Sequence, residues 1–203
     1  IFQFILEMFS LKVLFFSIFA IFLTVLILKI LIPFFKIYII DSPNIRSSHN
    51  LPKPTGGGIS FVFVISMLSS IMGFYLPLKC LPLALIGLID DLLKVPRSIR
   101  FIFQLLTVFY LYIGSSFVEK IYLENLSFSN FLIFTFIIIS GTAIINFVNF
   151  MDGIDGLVSG SLIIIFLLGS VIINNNFLIV VGSLLGFILW NWDPSKIFMG
   201  DVG

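Results

Sequence analysis

The sequence predicts an all-α protein: one transmembrane domain, residues 1–203, built as a bundle of about seven spans. Three observations predict it. The 203 residues are 60% hydrophobic and only 10% charged, with a mean hydropathy of +1.22. A soluble domain has too little interior to hide so much apolar surface. The apolar residues also come in long runs, several near the ~20 residues that cross a bilayer, separated by short polar stretches. Finally, the polar stretches that carry acidic motifs fall on alternate turns, so one side of the membrane collects them all. A net charge of +1 gives no case for a nucleic-acid partner, and Cys80, the one cysteine, can form no internal disulfide.

Taken in order, residues 1–10 are apolar but carry Glu7 and are expected at the membrane interface. A first span covers about 11–39. It is too long for a signal peptide and has no small-residue cleavage site. The longest polar loop, 41–58, leads to a second span at about 57–76. The turn 77–80 precedes a third, about 81–93, which contains Asp90 and Asp91 and is short for a crossing. A basic segment, 94–100, opens a fourth span at about 99–114. After the polar loop 119–124 come a fifth span at about 128–146 and a sixth at about 154–173. The turn Asn174–Asn176 leads to a seventh at about 177–190, and the polar tail 191–203 follows. The chain begins with Ile rather than Met and stops directly after a polar motif, so a fragment of a longer protein is expected.

Charge orients the bundle. With the N-terminus outside, the inner side carries Lys36, Arg46, Lys53, Lys94, Arg97, Arg100 and Lys196, against Lys12, Lys79 and Lys120 outside. This is the positive-inside bias. The same orientation puts every acidic motif on the inner, cytoplasmic face.

The motifs themselves point to phosphate chemistry. Asp90 and Asp91 interrupt an apolar run and need a cation or a basic partner. The plainer alternative is a solvated helix end facing Lys94 and Arg97. Asp152 and Asp155 stand three apart in Asn146-Phe-Val-Asn149-Phe-Met-Asp152-Gly-Ile-Asp155-Gly156. In a helix they would share nearly one face, although Asp-Gly pairs also make ordinary turns. Asp201 adds a further carboxylate, or merely a turn. The loop 41–58 supplies Arg46, His49 and Lys53. It runs through Pro54-Thr55-Gly-Gly-Gly58 into a helix start whose backbone N–H groups could meet an anion, although three glycines could equally ease helix packing. Carboxylates for a metal, cations for phosphates and apolar walls suit phosphoryl transfer from a soluble nucleotide to a lipid.

Four ordered motifs carry a resemblance: Asp41-Ser-Pro-x-x-Arg-x-x-His-x-x-Pro-x-Pro-x-Gly-Gly57, Gly87-x-x-Asp-Asp91, Asn146-x-x-Asn-x-x-Asp-Gly-Ile-Asp-Gly156 and Phe198-Met-Gly-Asp-x-Gly203. The chain resembles the polyprenyl-phosphate N-acetylhexosamine-1-phosphate transferases (glycosyltransferase family 4), relatives of the phospho-N-acetylmuramoyl-pentapeptide translocase. Its wording is most similar to the branch that starts O-antigen or capsule chains. The resemblance implies a multi-pass enzyme of the bacterial inner (plasma) membrane. Such an enzyme moves a sugar-1-phosphate from a UDP-sugar to undecaprenyl phosphate and releases UMP, with Mg²⁺ or Mn²⁺. It implies Asp90 and Asp91 as the catalytic pair, and Asp201 with Asp91 as metal ligands. Lys53, Thr55, Asn149, Asp152, Asp155, Arg46 and His49 fall on the substrate side. Family members run on for several more spans and a loop with histidine and arginine that contacts the donor. An inactive truncated remnant is therefore the competing reading, and a transporter using its intramembrane carboxylates a third. The sugar, the pathway and the oligomeric state are not written in the sequence, and a homodimer is left open.

Overall fold

A computed structural model describes residues 10–41, 43, 52–113, 115 and 128–203. Among these, seven α-helices stand where the sequence places its seven apolar runs: α1 (Leu11–Tyr38), α2 (Gly58–Ile71), α3 (Leu81–Leu93), α4 (Arg97–Ile113), α5 (Phe128–Met151), α6 (Leu157–Ile172) and α7 (Phe177–Asn191). Two short strands, β1 (Ile40–Asp41) and β2 (Lys53–Pro54), pair antiparallel with Ile40 opposite Pro54.

Local chemistry sets the boundaries. The Ser10 hydroxyl accepts from the Val13 amide at 3.3 Å and caps α1. A 3₁₀ turn, Pro77–Cys80, delivers the chain to α3, whose first turn holds Pro82. Lys94, left-handed at φ 53°, ends α3, and Pro96 keeps the chain from continuing before α4 begins. Gly156, at φ 71°, opens α6.

α7 is the central helix, packed by α1, α2 and α6. Its Phe187, Ile179 and Leu184 are fully buried, with Leu28, Ile32 and Phe35 from α1, Phe61 and Ile65 from α2, and Val158 from α6. The contact with α1 is backbone-close. A Cβ on Gly182 would collide with the Ser17 carbonyl, and one on Gly186 would lie 2.6 Å from the Ile21 carbonyl. Gly182 and Gly186 form a Gly-x-x-x-Gly pair, the spacing that lets membrane helices approach. α4 lies between α3 and α5, and α5 makes a slender contact with α6 while its Val148 and Met151 pack against the α7 core.

α1 and α5 are long and apolar enough to cross a membrane by length and composition; α2, α6 and α7 are apolar but shorter. Much of the outer surface is apolar, including Phe22, Ile30, Phe136 and Phe150. Two boundaries differ from expectation. The second apolar run ends as helix at Ile71, because the chain turns at Gly73, φ 74°, and the Phe74 amide closes back on the Ser69 carbonyl. The fifth runs five residues past 146 to Met151, because the Asn146 side chain is satisfied within the bundle by Gln104 and the Thr142 carbonyl. The interfacial segment 1–9 and the loop 119–124 lie outside the described residues, as do Arg46 and His49.

Candidate functional site

The end of α3, the α5–α6 turn, β2 with the start of α2, and the tail after α7 meet at one end of the bundle. The tail runs beside β2. The Phe198 amide donates to the Pro54 carbonyl at 2.9 Å, and the Gly57 and Gly58 amides donate to the Phe198 and Met199 carbonyls at 2.9 and 2.8 Å. Those two glycine amides are therefore engaged by the tail, not free for an anion as their position at a helix start suggested.

Three aspartates from two motifs hold the same tail by its backbone. The Ser195 amide donates to Asp155 Oδ2 at 2.9 Å, the Gly200 amide to Asp152 Oδ2 at 3.0 Å, and the Asp201 amide to Asp91 Oδ1 at 3.1 Å. α5 has ended at Met151, so Asp152 and Asp155 sit in a turn rather than on one helix face. The glycines after them release the chain from helix.

Two arrangements result. In the first, Asp155 is saturated. The Ser195 hydroxyl donates to Oδ1 at 2.6 Å, and Lys53 Nζ lies 3.1 Å from Oδ2 and 2.8 Å from the Ser195 oxygen. Lys53 also sits over the Phe198 ring, 5.1 Å from its centroid. Burial alone would raise the Asp155 carboxyl; the Ser195 and Lys53 bonds outweigh it and hold the group below the usual range.

In the second, Asp91, Asp152 and Asp201 crowd together with one cation. Arg100 Nη1 lies 2.6 Å from Asp90 Oδ2 and also bonds Asp201 Oδ2. The Val95 amide donates to the other Asp90 oxygen at 2.6 Å. Among the described residues, Asp91 Oδ2 is buried and has no hydrogen-bond partner. It faces the place where Gly200, at φ 76°, comes against the Gly56 amide and Thr55 Oγ1; a Cβ there would collide with all three. Gly87 is equally crowded by the Asp201 carbonyl, so the Gly87-to-Asp91 spacing of the motif docks the tail and aims the acids together. Burial pushes Asp152 up to about 7, with the Asp91 and Asp201 charges adding to the rise and the Gly200 amide opposing it. Burial, and the hydrogen bond shared with Asp90, push Asp201 up to about 6 against the pull of Asn149 and Arg100.

Lys53, Thr55, Asp90, Asp91, Asn149, Asp152, Asp155 and Asp201 are thus gathered at one end of the fold. Asp90 pairs with Arg100 rather than with Lys94 or Arg97. Sequence reasoning did not single out Arg100, Ser195 or Asn191. Asn191 links three segments: its Oδ1 accepts from the Gly156 amide and the Ser159 hydroxyl, and its Nδ2 donates to the Ile197 carbonyl. The available signal for Arg100 was its place in the first turn of α4, one basic residue among three in the segment after the acidic pair.

Among the described residues, no three His, Cys, Asp or Glu side chains converge as a ready metal cage. The unpartnered Asp91 oxygen beside Asp201 instead fits a hard cation. Mg²⁺ takes one or two carboxylates and completes its shell with water and phosphate oxygens.

The family described as glycosyl transferase 4 matches residues 73–203. An undecaprenyl-phosphate alpha-N-acetylglucosaminyl 1-phosphate transferase of Thermotoga maritima is 30% identical over 168 residues, covering 83% of this chain and 53% of that one. A probable undecaprenyl-phosphate N-acetylglucosaminyl 1-phosphate transferase of Bacillus subtilis is 29% identical over 188 residues, 83% of this chain and 52% of that one. A phospho-N-acetylmuramoyl-pentapeptide-transferase of Streptococcus mutans is 33% identical over 221 residues, 89% and 65% respectively. The chain spans about half the length of the first two relatives.

Proposed function

The chain belongs to glycosyl transferase family 4, and on that footing we propose that it transfers N-acetylhexosamine-1-phosphate from a UDP-sugar to undecaprenyl phosphate. The lipid phosphate oxygen attacks the phosphorus next to the sugar, the bond from that phosphorus to the bridging oxygen breaks, and UMP leaves. The product, a lipid-linked sugar diphosphate, would begin an O-antigen, capsule or other envelope polysaccharide. The observation that carries this reading is the convergence of the motifs on one tail, with a buried Asp91 oxygen at their centre that has no partner among the described residues.

In this reading the helices cross the bacterial inner membrane seven times with the motifs on the cytoplasmic face. Asp91 and Asp201 would hold Mg²⁺ or Mn²⁺, which when bound offsets charge on the diphosphate. Asp90, oriented by Arg100 and the Val95 amide, keeps Arg100 beside the reacting phosphates. Lys53 and Thr55 line the phosphate side of the donor. Asn149 and Asp152 fix the tail and face the nucleotide, and Asp155 anchors Lys53. Arg46 and His49 belong to the same loop as Lys53 and are assigned to the donor.

The test is UMP release from UDP-N-acetylglucosamine by the purified chain with undecaprenyl phosphate and Mg²⁺. Release that stops with EDTA and in Asp91→Asn supports the proposal; release indifferent to both overturns it. The half-length coverage of the relatives favours one second reading, in which residues 1–203 bind these substrates without completing transfer. Saturable UMP binding without turnover would distinguish it.

A further inference from the structure

Two helices approach the Asp201 carboxylate. Arg100, in the first turn of α4, bonds its Oδ2, and Asn149, in the last turn of α5, borders the same group. One turn deeper in the bundle, α4 and α5 are tied to each other. Asn146 Nδ2 donates to Gln104 Oε1 at 2.8 Å, and Gln104 Nε2 donates to Asn146 Oδ1 at 3.3 Å. Gln104 is four residues on from Arg100, and Asn146 is three before Asn149. Each amide therefore shares a helix face with the residue that approaches Asp201. Gln104 is only 6% exposed, so it is costly to leave unpaired. Asn146 is steadied by a second bond, from Nδ2 to the Thr142 carbonyl at 2.9 Å. Bonds in both directions fix register: a slip of about 1.5 Å, one residue's rise, carries the longer bond out of range. Deeper still the seam is a steric fit. A Cβ on Gly141 would lie 2.7 Å from Val108 Cγ1 and 3.6 Å from Val108 Cβ. α4 is the main helical neighbour of α5, so this seam decides where Asn149 and Arg100 stand relative to each other.

We propose that Gln104 is a positioning residue of the acidic site. By exchanging amide bonds with Asn146 it sets the register of α4 on α5, and that register brings Arg100 and Asn149 together on Asp201. Gln104 touches none of the acids through a hydrogen bond of its own among the described residues; it acts through the seam. The consequence for catalysis rests on the transfer reading, in which Arg100 stands beside the reacting phosphates. The placement of Arg100 does not rest on it.

The experiment replaces the amide and then restores the seam by another bond. Gln104→Met keeps the side-chain length without the amide, and Gln104→Leu is a second variant expected to behave alike. Phenylglyoxal modification of Arg100 is timed on the whole chain in lipid nanodiscs and resolved from that of Arg97 by peptide mass spectrometry. Modification is expected to be about threefold faster or more at Arg100, whose ion pairs shield it in the native seam, and unchanged at Arg97. Exchanging the pair, Gln104→Asn with Asn146→Gln, is expected to restore the slow rate. So is a disulfide between Val108→Cys and Gly141→Cys, formed with copper phenanthroline in a Cys80→Ser background, since the Cβ separation suits one; dithiothreitol should undo that rescue. In the UMP-release assay, Gln104→Met is expected to lower kcat by about tenfold or more, with KM for UDP-N-acetylglucosamine little changed, and the disulfide to recover it. An Arg100 rate untouched by Gln104→Met and Gln104→Leu would overturn the proposal. So would a raised rate that the disulfide leaves raised, because Gln104 would then act on the site without the seam. If the unaltered chain releases no UMP, the transfer reading fails, and the Arg100 rates still decide this one.

Discussion

Asp152 and Asp155 are the same residue in the same Asp-Gly setting, three positions apart, and the fold puts them to opposite uses. Asp155 has two donors from Ser195 and a lysine, and its acidity is strengthened. Asp152 has one backbone donor and two acidic neighbours, and its acidity is weakened. The difference lies in the number of compensating donors at each carboxylate. A saturated acid holds structure together. An undersupplied one is a place where a cation or a proton gains binding energy, which is why such groups gather at functional sites.

The largest expected effect tests the undersupplied side. Asp91→Asn is expected to lower metal-dependent transfer by ~100-fold or more while the protein still inserts, as read by UMP release from membranes. Next comes the contrast itself. Asp155→Asn breaks the pair with Lys53 and is expected to cost about 1–3 kcal/mol of stability. Asp152→Asn, which removes a costly buried charge, is expected to leave stability unchanged or slightly higher while reducing transfer. Thermal melts of both variants check this, and equal losses would break the comparison.

The pH dependence should also divide. The Asp155 carboxyl is lower in the fold than its ordinary 3.8, so its contribution is present above about 3.8 and is lost as pH falls through the folded value. Asp152 is raised to about 7, so the folded protein takes up a proton there that the unfolded chain does not. In metal-free buffer, melting temperature is therefore expected to rise as pH falls from about 7 toward 4, and Asp152→Asn should flatten that slope. The smallest effect is Ser195→Ala, expected to cost about 1 kcal/mol through the lost hydroxyl bonds to Asp155 and Lys53. Ser195→Thr should recover most of it in the same melts.

All seven helices were legible because their signal is local: apolar runs, and Gly, Pro and Asn punctuation between them. The site was legible as motifs but not as pairings. Nothing near Asp90 in sequence says that Arg100, and not Arg97, will reach both it and Asp201. Nothing near Lys53 says that Ser195, 142 positions away, will share it. The helix-face reading of Asp152 and Asp155 failed because Gly153 and Gly156 break the helix the periodicity assumed. The close seam of α1 on α7 could have been found, since Gly182 and Gly186 have the spacing.

The backbone bonds from the three aspartates to the tail also set an order of events at the ribosome. Asp91 leaves the exit tunnel 110 residues before the Asp201 amide it will accept from. At bacterial-type synthesis rates that is a wait on the order of ten seconds. During it, the acids of α3 and of the α5–α6 turn have none of their tail donors, and ionised carboxylates without partners resist entry into lipid. The last stitch of the site then becomes the event that supplies those acids with their backbone donors.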